Sequence, residues 1–583
     1  MKYLIRSTAV YNGHDALPSP ESILVEDGVI RKILPYDVNA ESLLDKREAE
    51  AFPDKKEAEV LPDKMNAESL PDGIKVLDFG DRLVMPGFID AHTHFFTGAM
   101  ENSEHVCSEI ADSVSEDDCA RIVGEYAAKH PEEKVIRGSG WFLPKWRTTT
   151  LPTKKSLDAV VSDRPVLLKC ADAHSYWLNS AALRLCGITP DMKPESGSVG
   201  LLPDGELSGM LIEPAAYEPA DKVFRTFPDD EYRKIIEDFE RVLAGYGITA
   251  LSEMFAPDYN EENNHLCEMI HSMAEENRMS AHLYLFPRLF GYTDFSAAEK
   301  WKKQFAGKWF DIPGVKGFLD GVTETYTGLL LEPYTDRPDT CGIGVPLREY
   351  DDVRQSVIAA NREGFSVRLH CIADGSVRMA LNLFEDSIRA NGDRDYHNTI
   401  EHIENIDPSD IPRFRKLHVI PSMQPAHLVL DENGKILHIG KERIRYEWPL
   451  RSMDEATGTL AIGTDFPVVG IDPFQTIYTA VTRKDYQHHP TGFNPEEKLT
   501  MLQVLSGYTF NAARAYHMED KIGSLEEGKY ADIIVLKENL FTMPEEEIMD
   551  NRVVFTMCCG KITNDVLKTG SVRDRSLRRP FRT

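Results

Sequence analysis

The chain has 583 residues, which is too long for one compact core and indicates a large catalytic domain with accessory domains. Hydrophobic residues make up 42% and aromatic residues 9%, as in an ordinary globular protein, so a largely disordered chain is excluded. The formal net charge of -29 would repel a phosphate backbone, and nucleic acid is therefore not expected as a partner.

The first part of the sequence predicts a small β domain. Short runs of alternating apolar residues occupy 2–34 around a turn at Asp27-Gly28, and the same pattern resumes at Ile74. Between them, residues 39–73 contain a charged repeat of about nine residues, seen for example in REAEAFPDK and KEAEVLPDK. This composition predicts a flexible or weakly helical insertion.

Several features of the sequence indicate a soluble, cytoplasmic protein. The first residues carry no secretory signal core, and no apolar stretch approaches the roughly 20 residues that span a bilayer. We therefore expect no membrane partner. The nine cysteines are odd in number and lack a Cys-x-x-Cys pair, which favours reduced thiols over a disulfide framework.

From residue 84 to 515, apolar strands alternate with helical stretches, a pattern typical of a parallel sheet or barrel. The predicted strands are 84–94, 248–254, 280–286, 315–321, 366–371, 398–404, 419–425 and 459–465. The segment 100–230 is longer than a crossover needs and contains the apolar runs VIRGSGW and PVLLKCAD, so it predicts an inserted subdomain. Strand patterns return in 516–565 and are expected to join residues 1–83 in one domain, while 566–583 is a basic tail.

Six side chains at the ends of these strands predict a metal site. His92 and His94 end the first strand as His-x-His, and alternate residues of a strand point to the same side. The other four lie in the fourth, fifth, sixth and eighth strands and are Lys316, His370, His402 and Asp465. Strand ends build the active sites of (β/α)₈ barrels. Imidazoles with a carboxylate suit Zn²⁺, and Fe, Mn, Ni or Co are also compatible.

This ligand set predicts hydrolytic chemistry. A metal with one open position can lower the pKa of its bound water to about 7. Asp465 is placed to orient that water, take its proton and pass it to a leaving nitrogen. Lys316 becomes a ligand only if CO₂ carbamylates it; otherwise we expect it to pair with a nearby acid such as Asp320.

With these residues in place, the chain resembles the amidohydrolase superfamily, and within it the YtcJ-like branch, or amidohydrolase family 3, which includes N-substituted formamide deformylases. The resemblance covers nearly the whole chain and rests on MPGFIDAHTH, GVKGFLDG, LHCIADGSVRMAL, TIEHIENIDPSDIPRF, SMQPAHL, IGTDFPV, YTFNAAR and GSLEEGKYADIIVL. It implies a (β/α)₈ TIM barrel with a discontinuous β-sandwich domain. It also implies His92 and His94 on the more buried metal, Lys316 as a carbamylated bridge, His370 and His402 on a second metal, and Asp465 as shared ligand and general base.

Further matching segments imply substrate contacts, at Trp141, Asp172, His174, Asn179, Glu213 and His427. For Trp141 and Asn179 a packing role is equally compatible with the sequence. Two features depart from the family pattern: the repeat at 39–73 has no recognised counterpart, and DAHSYW replaces the commoner form with DGH.

The expected function is hydrolysis of an amide-type C–N bond, N-acyl or N-formyl, in a small molecule by a metal-activated hydroxide, with one or two divalent metals. Two alternatives stay open. A mononuclear deaminase of the same fold would need no Lys316 and usually places an acid a few residues after the fifth-strand histidine. A non-enzymatic scaffold is the other, although such descendants commonly lose metal ligands. A homodimer is compatible with the sequence, which does not identify the substrate.

Overall fold

The computed structural model describes residues 1–14, 16–38, 73–148, 150–171, 175–194, 197–212, 214–342, 350–430, 432–491 and 494–569. They form two compact units: the first contains Met1–His94 and the chain from Glu240 onward, and the second is Phe95–Phe239. The charged repeat up to residue 72 and the basic tail from residue 570 lie outside the described residues.

Strands and helices alternate through most of the chain. The strands are β1 (Lys2–Val10), β2 (Ser19–Glu26), β3 (Val29–Pro35), β4 (Ile74–Asp78), β5 (Leu83–Pro86), β6 (Phe88–Ile89), β7 (Val106–Cys107), β8 (Ile136–Trp141), β9 (Val166–Cys170), β10 (Ser175–Leu178), β11 (Ser198–Leu201), β12 (Leu207–Ile212), β13 (Ile248–Glu253), β14 (His282–Leu285), β15 (Phe310–Asp311), β16 (Gly314–Phe318), β17 (Ser366–Cys371), β18 (Thr399–His402), β19 (Ile420–Met423), β20 (Ala461–Ile462), β21 (Ile533–Leu536), β22 (Val553–Cys558) and β23 (Lys561–Asp565).

The α-helices are α1 (Phe95–Glu101), α2 (Glu116–Lys129), α3 (Lys154–Val160), α4 (Ser180–Leu185), α5 (Pro214–Arg225), α6 (Asp229–Tyr246), α7 (Glu261–Glu275), α8 (Ser296–Phe305), α9 (Tyr350–Arg362), α10 (Asp374–Asn391), α11 (Ile411–Lys416), α12 (Glu432–Arg443), α13 (Leu450–Thr457), α14 (Pro473–Thr482), α15 (Met501–Gly507), α16 (Phe510–Ala515) and α17 (Val566–Thr569). None of these helices is both long and apolar enough to cross a bilayer.

One sheet of the first unit combines strands from early and late parts of the sequence. Its order is β23-β22-β21-β5-β1-β2-β3, with β4 paired to β1. The joining strand is β5, which runs parallel to β1 and antiparallel to β21. Side chains from both parts of the sequence, including Ile5, Val25, Ile533 and Phe555, are buried in a common hydrophobic cluster. Burial of these apolar side chains holds the distant segments together.

The first unit also contains two parallel sheets, β6-β13-β14-β15 and β16-β17-β18-β19-β20. Every residue of Ile248–Glu253 in β13 is buried, as is typical of parallel strands with both faces covered. Backbone hydrogen bonds link the two sheets at both edges: Lys316 donates to Pro287 at 2.8 Å, and Asp465 donates to His92 at 2.7 Å. Each of the eight strands predicted from the sequence overlaps a strand of these sheets.

The second unit has a six-stranded mixed sheet of order β11-β12-β10-β9-β8-β7. The pairs β7–β8 and β8–β9 are parallel, whereas β9–β10, β10–β12 and β11–β12 are antiparallel. The strands β8 and β9 coincide with the predicted runs VIRGSGW and PVLLKCAD. All nine cysteines of the two units are free thiols, as the sequence predicts.

Candidate metal centre

The structure brings His92, His94 and Asp465 together. The Nε2 atom of His94 lies 3.0 Å from Asp465 Oδ1, and the Nε2 atom of His92 lies 3.5 Å from the same oxygen. One donor atom from each residue can be chosen so that all three lie within 4.8 Å of one another. The backbone hydrogen bond from Asp465 to His92 fixes the two strand ends side by side. This spacing allows all three side chains to share one cation.

His370 and His402 extend the cluster along the edge of the sheet. The ring of His402 lies 4.7 Å from that of His92 and 4.4 Å from that of His370, measured between centroids. His402 and Asp465 both have a positive φ, 73° and 62° respectively, which is rare for residues other than glycine. Such strained backbone is often found at functional sites. Four imidazoles and one carboxylate therefore converge at the carboxyl ends of the strands.

Two of the histidines are oriented by hydrogen bonds to their other ring nitrogen. His92 Nδ1 lies 2.7 Å from Glu401 Oε2, so its Nε2 faces Asp465. His402 Nδ1 lies 2.9 Å from Gln424 Oε1, and its buried Nε2 has no hydrogen-bond partner among the described residues. Metal-binding histidines usually make this kind of second hydrogen bond, which fixes the tautomer and the ring. The arrangement leaves a lone pair on each Nε2.

The surroundings keep the imidazoles of His92, His370 and His402 neutral. Burial, reinforced by the nearby charge of Lys316, lowers the pKa of His92 well below its usual value and that of His370 to about 3. Burial and the neighbouring histidines likewise lower the pKa of His402. Burial alone would raise the pKa of Asp465, but its interactions with His92 and His94 bring it below the usual value. Neutral imidazoles with an ionised carboxylate are the protonation states that metal binding requires.

Lys316 is completely buried on β16, and its Nζ has no hydrogen-bond partner among the described residues. Burial lowers its pKa to about 8, so roughly a tenth of the amine would be neutral at pH 7. The predicted alternative, an ion pair with Asp320, is not formed. Asp320 instead accepts hydrogen bonds from three backbone N–H groups and from the hydroxyl of Ser376. An unpaired, partly neutral amine is the form that can react with CO₂.

A buried ion pair supports the cluster and was not foreseen from the sequence. Arg368 Nε donates to Glu401 Oε1 at 2.6 Å, both side chains are fully buried, and Arg368 Nη2 donates to the carbonyl of Ala91 at 2.9 Å. Glu401 is thus held between Arg368 and His92. The sequence feature that could have indicated this pair is a charged residue within each of two otherwise apolar strands, Arg368 in SVRLHC and Glu401 in TIEHIE.

His427 lies at the margin of the cluster. Its Nε2 is 3.2 Å from the carbonyl oxygen of Thr464 and 3.9 Å from Asp465 Oδ2. Its ring centroid lies 6.4 Å from that of His402 and 5.7 Å from that of Trp448. This position is compatible with a contact to a substrate bound at the cluster, and that role stays a prediction.

The remaining predicted substrate residues belong to the second unit. Trp141 is 1% exposed, packs against Trp146 and Trp177, and donates its indole N–H to the carbonyl of Leu168. Asn179 is fully buried, and its amide makes hydrogen bonds to four backbone groups. Both residues pack within their unit, and a contact with substrate stays a prediction for each. Asp172, His174 and Glu213 lie outside the described residues.

Comparison with known proteins identifies a family model and several relatives that match this chain. Residues 75–564 match the model of the amidohydrolase family. The Arabidopsis thaliana protein LONG AFTER FAR-RED 3 is 28% identical over 477 residues, covering 80% of each chain. The putative amidohydrolase YtcJ of Bacillus subtilis is 26% identical over 82% of this chain and 88% of its own. The N-substituted formamide deformylase of Arthrobacter pascens is 23% identical over 85% of this chain and 91% of its own.

A solved structure shows the same fold. An uncharacterized metal-dependent hydrolase from Pyrococcus horikoshii OT3 superposes with a TM-score of 0.73 at 22% sequence identity. The superposition covers 94% of this chain and 99% of that protein.

Proposed function

We propose that this chain, which belongs to the amidohydrolase family and is thereby a hydrolase, uses a divalent metal to cleave a non-peptide C–N bond in a small amide-type substrate. The family predicted from the motifs is confirmed. The observation that carries the proposal is the convergence of His92, His94, His370, His402 and Asp465 at the carboxyl ends of parallel strands.

The proposal includes a closed (β/α)₈ barrel. The mixed α/β fold is shared with the solved hydrolase, and backbone hydrogen bonds at both edges of the two parallel sheets support closure. In such barrels the active site lies at the carboxyl ends of the strands. The clustered residues follow those ends, as an active site in this fold requires.

The side chains fit one or two divalent metals, with Zn²⁺ as the first candidate. His92, His94 and Asp465 would hold one ion, His370 and His402 a second, and Lys316 would bridge them when carbamylated. Two buried atoms that lack hydrogen-bond partners among the described residues, His402 Nε2 and Lys316 Nζ, support this fit. A bound metal would polarise the substrate carbonyl and lower the pKa of the attacking water.

The protein's own residues supply orientation and proton transfer. Asp465 would accept the proton of the attacking water on its carboxylate and deliver it to the leaving nitrogen. His94 Nε2 lies 3.0 Å from one oxygen of this carboxylate, so both groups can reach the same ion. Glu401 keeps the ring of His92 in place through Nδ1. His427, 3.9 Å from Asp465 Oδ2, is placed to contact the substrate.

A substrate screen with a matched pair of variants tests the proposal. Metal-replete protein would be assayed against N-formyl compounds, N-acyl compounds, carbamates and cyclic amides. Asp465→Asn should lose at least about a hundredfold in turnover while it keeps most of its metal. Asp454→Asn, on α13 where Gln503 donates to the carboxylate, is the matched control and should keep full turnover.

The outcomes separate the possible roles. Near-normal turnover of Asp465→Asn would remove this residue from the mechanism, and loss of metal from the variant would make it chiefly a ligand. One metal per chain with unmodified Lys316 and turnover of an amino-substituted heterocycle would instead support the deaminase alternative. Carefully prepared wild-type protein without any bound metal would contradict the proposal.

A further inference from the structure

A second cluster of metal-binding side chains lies in the first unit. It consists of His282, Asp532, Cys558 and Cys559, which are all buried and whose donor atoms all lie within 4.8 Å of one another. His282 is the first residue of β14, whereas the histidines of the candidate active site follow the carboxyl ends of the parallel strands. The cluster therefore lies at the opposite end of the parallel sheet from the candidate active site.

The four side chains are arranged around a common centre. His282 Nε2 lies 3.0 Å from Asp532 Oδ2 and 3.7 Å from Cys559 Sγ. These distances resemble the separations between ligand atoms that share a tetrahedral ion with bonds of about 2.0–2.3 Å. Cys558, the last residue of β22, contributes the second thiol to the same group.

Hydrogen bonds outside the cluster orient its members. His282 Nδ1 lies 2.7 Å from the carbonyl oxygen of Lys308 and donates its proton to it, which directs Nε2 towards Asp532. Asp532 Oδ1 accepts the backbone N–H of Cys559 at 2.7 Å, which leaves Oδ2 directed into the cluster. Outer hydrogen bonds of this kind are typical of metal ligands.

The backbone at Cys559 is strained in a way that brings the two thiols together. Adjacent residues of a regular strand point to opposite faces. Cys559 and Gly560 instead have φ values of 48° and 73° in the two-residue turn between β22 and β23. Asn, Asp and Gly are the usual residues at such positions, so a cysteine there is costly. A strained residue that supplies a ligand atom has a functional reason to be retained.

The surroundings exclude water from the cluster. His282 is 1% exposed and Cys559 5% exposed. The ring of His282 is stacked nearly parallel to those of Tyr284 and Tyr530. The Asp532 carboxylate needs a positive partner in such a site: the His282 ring, 3.0 Å away, supplies it when protonated, and a cation bound by the four side chains would take the place of that proton.

We propose that His282, Asp532, Cys558 and Cys559 form a second, structural metal site for a thiophilic divalent cation, Zn²⁺ being the first candidate. Four protein ligands leave no open position, which is the mark of a structural rather than a catalytic zinc site. Binding would release the protons of both thiols, so that the ion faces two thiolates, one carboxylate and a neutral imidazole. The site would join β14 of a parallel sheet to β21 and β22 of the eight-stranded sheet.

The experiment exploits the lack of cysteine ligands in the candidate active site. The full chain carrying His92→Asn, His94→Asn, His370→Asn and His402→Asn, which removes every histidine ligand of the candidate active site, would be loaded with Co²⁺ or Zn²⁺. We expect one equivalent of metal to remain, with a thiolate-to-cobalt charge-transfer absorption. Adding Cys558→Ser and Cys559→Ser should abolish both the bound equivalent and the absorption. Cys371→Ser, which removes the thiol next to His370, is the control and should leave both unchanged.

Wild-type protein provides a second measurement that does not depend on the folding of variants. X-ray absorption of the zinc-loaded chain should show sulfur neighbours at about 2.3 Å in addition to nitrogen and oxygen neighbours. Absence of sulfur scattering would overturn the proposal. A native mass lower by two hydrogens, with a disulfide mapped to Cys558–Cys559, would also overturn it. Neither result bears on Asp465→Asn, so failure here is distinguishable from failure of the proposed hydrolase function.

Discussion

Replacement of Glu401 by Gln would test how the protein orients its metal ligands. One carboxylate oxygen of Glu401 accepts a hydrogen bond from Arg368 at 2.6 Å, and the other lies 2.7 Å from His92 Nδ1. The variant keeps the size of the side chain and one acceptor oxygen, but it removes the charge that both partners face. We therefore expect two separable losses, one in stability and one in metal affinity.

The magnitudes follow from the complete burial of the pair. Arg368 would keep its charge without a counter-charge, and breaking a buried pair in this way costs about 3–5 kcal/mol. Loss of the carboxylate behind a metal-binding histidine lowers metal affinity about 10–100-fold, equivalent to about 1.4–2.7 kcal/mol. The free energy of unfolding should therefore fall by about 3–5 kcal/mol without metal and by roughly 4–8 kcal/mol with saturating metal.

Urea unfolding with and without metal, together with competition against a chelator, would measure both losses. Arg368→Met is the matched control, because it breaks the ion pair but leaves the carboxylate at His92. It should destabilise the metal-free protein and affect metal affinity less than Glu401→Gln does. If Glu401→Gln binds metal as tightly as wild type, the assignment of Glu401 as the orienting partner of His92 is wrong.

Three further substitutions test other parts of the structure. Lys316→Ala should abolish the mass increment of one CO₂ in the intact protein and lower turnover, and added acetate, which can enter the space left by the side chain, should restore part of the turnover; full turnover without acetate would exclude Lys316 from the site. Gly463→Ala should cost about 1–3 kcal/mol and lower metal content, because its Cβ would lie 2.5 Å from the backbone nitrogen of His92. Gly307→Ala, where the added Cβ meets nothing within 4 Å, is the control, and equal effects of the two would contradict the close-approach argument. Burial raises the pKa of Glu240 from 4.5 to about 7, so the folded protein binds this proton more tightly than the unfolded chain does. The resulting contribution to the free energy of unfolding is complete below pH 4.5 and is lost as the pH rises through 7. Glu240→Gln should remove most of this decrease in the free energy of unfolding, which is of the order of 3 kcal/mol, in thermal unfolding experiments between pH 4 and 8. An unchanged pH profile would show that Glu240 does not cause the decrease.

The parallel strands were predictable because they are short apolar runs buried on both faces. The runs ITALSEM and SVRLHC contain strands whose residues are almost all buried. The candidate ligands were predictable for a related reason, since a histidine or aspartate at the end of an apolar strand stands out from its neighbours. Whether the strands close into a barrel depends on pairing between distant segments, which periodicity does not encode.

Local sequence patterns could not predict the second metal-binding cluster or the buried ion pair. His282 begins one strand, Asp532 precedes another, and the two adjacent cysteines lack the spacing of known zinc motifs. Their meeting depends on how the eight-stranded sheet packs against the parallel sheet. Arg368 and Glu401 were visible as charges within apolar strands, but the sequence does not show that they meet: in the paired strands Arg368 lies opposite Thr399 and Glu401 opposite His370, and the two side chains reach each other diagonally.

The order of strands in the eight-stranded sheet also affects co-translational folding. Strand β5 ends at Pro86, whereas its antiparallel neighbour β21 begins at Ile533. At about 5–20 residues per second, the nascent chain exposes one edge of β5 for roughly 20 to 90 s before that neighbour is synthesised. During this interval the unpaired edge is a template for aggregation, and chaperones that shield emerging strands should improve the yield of native protein.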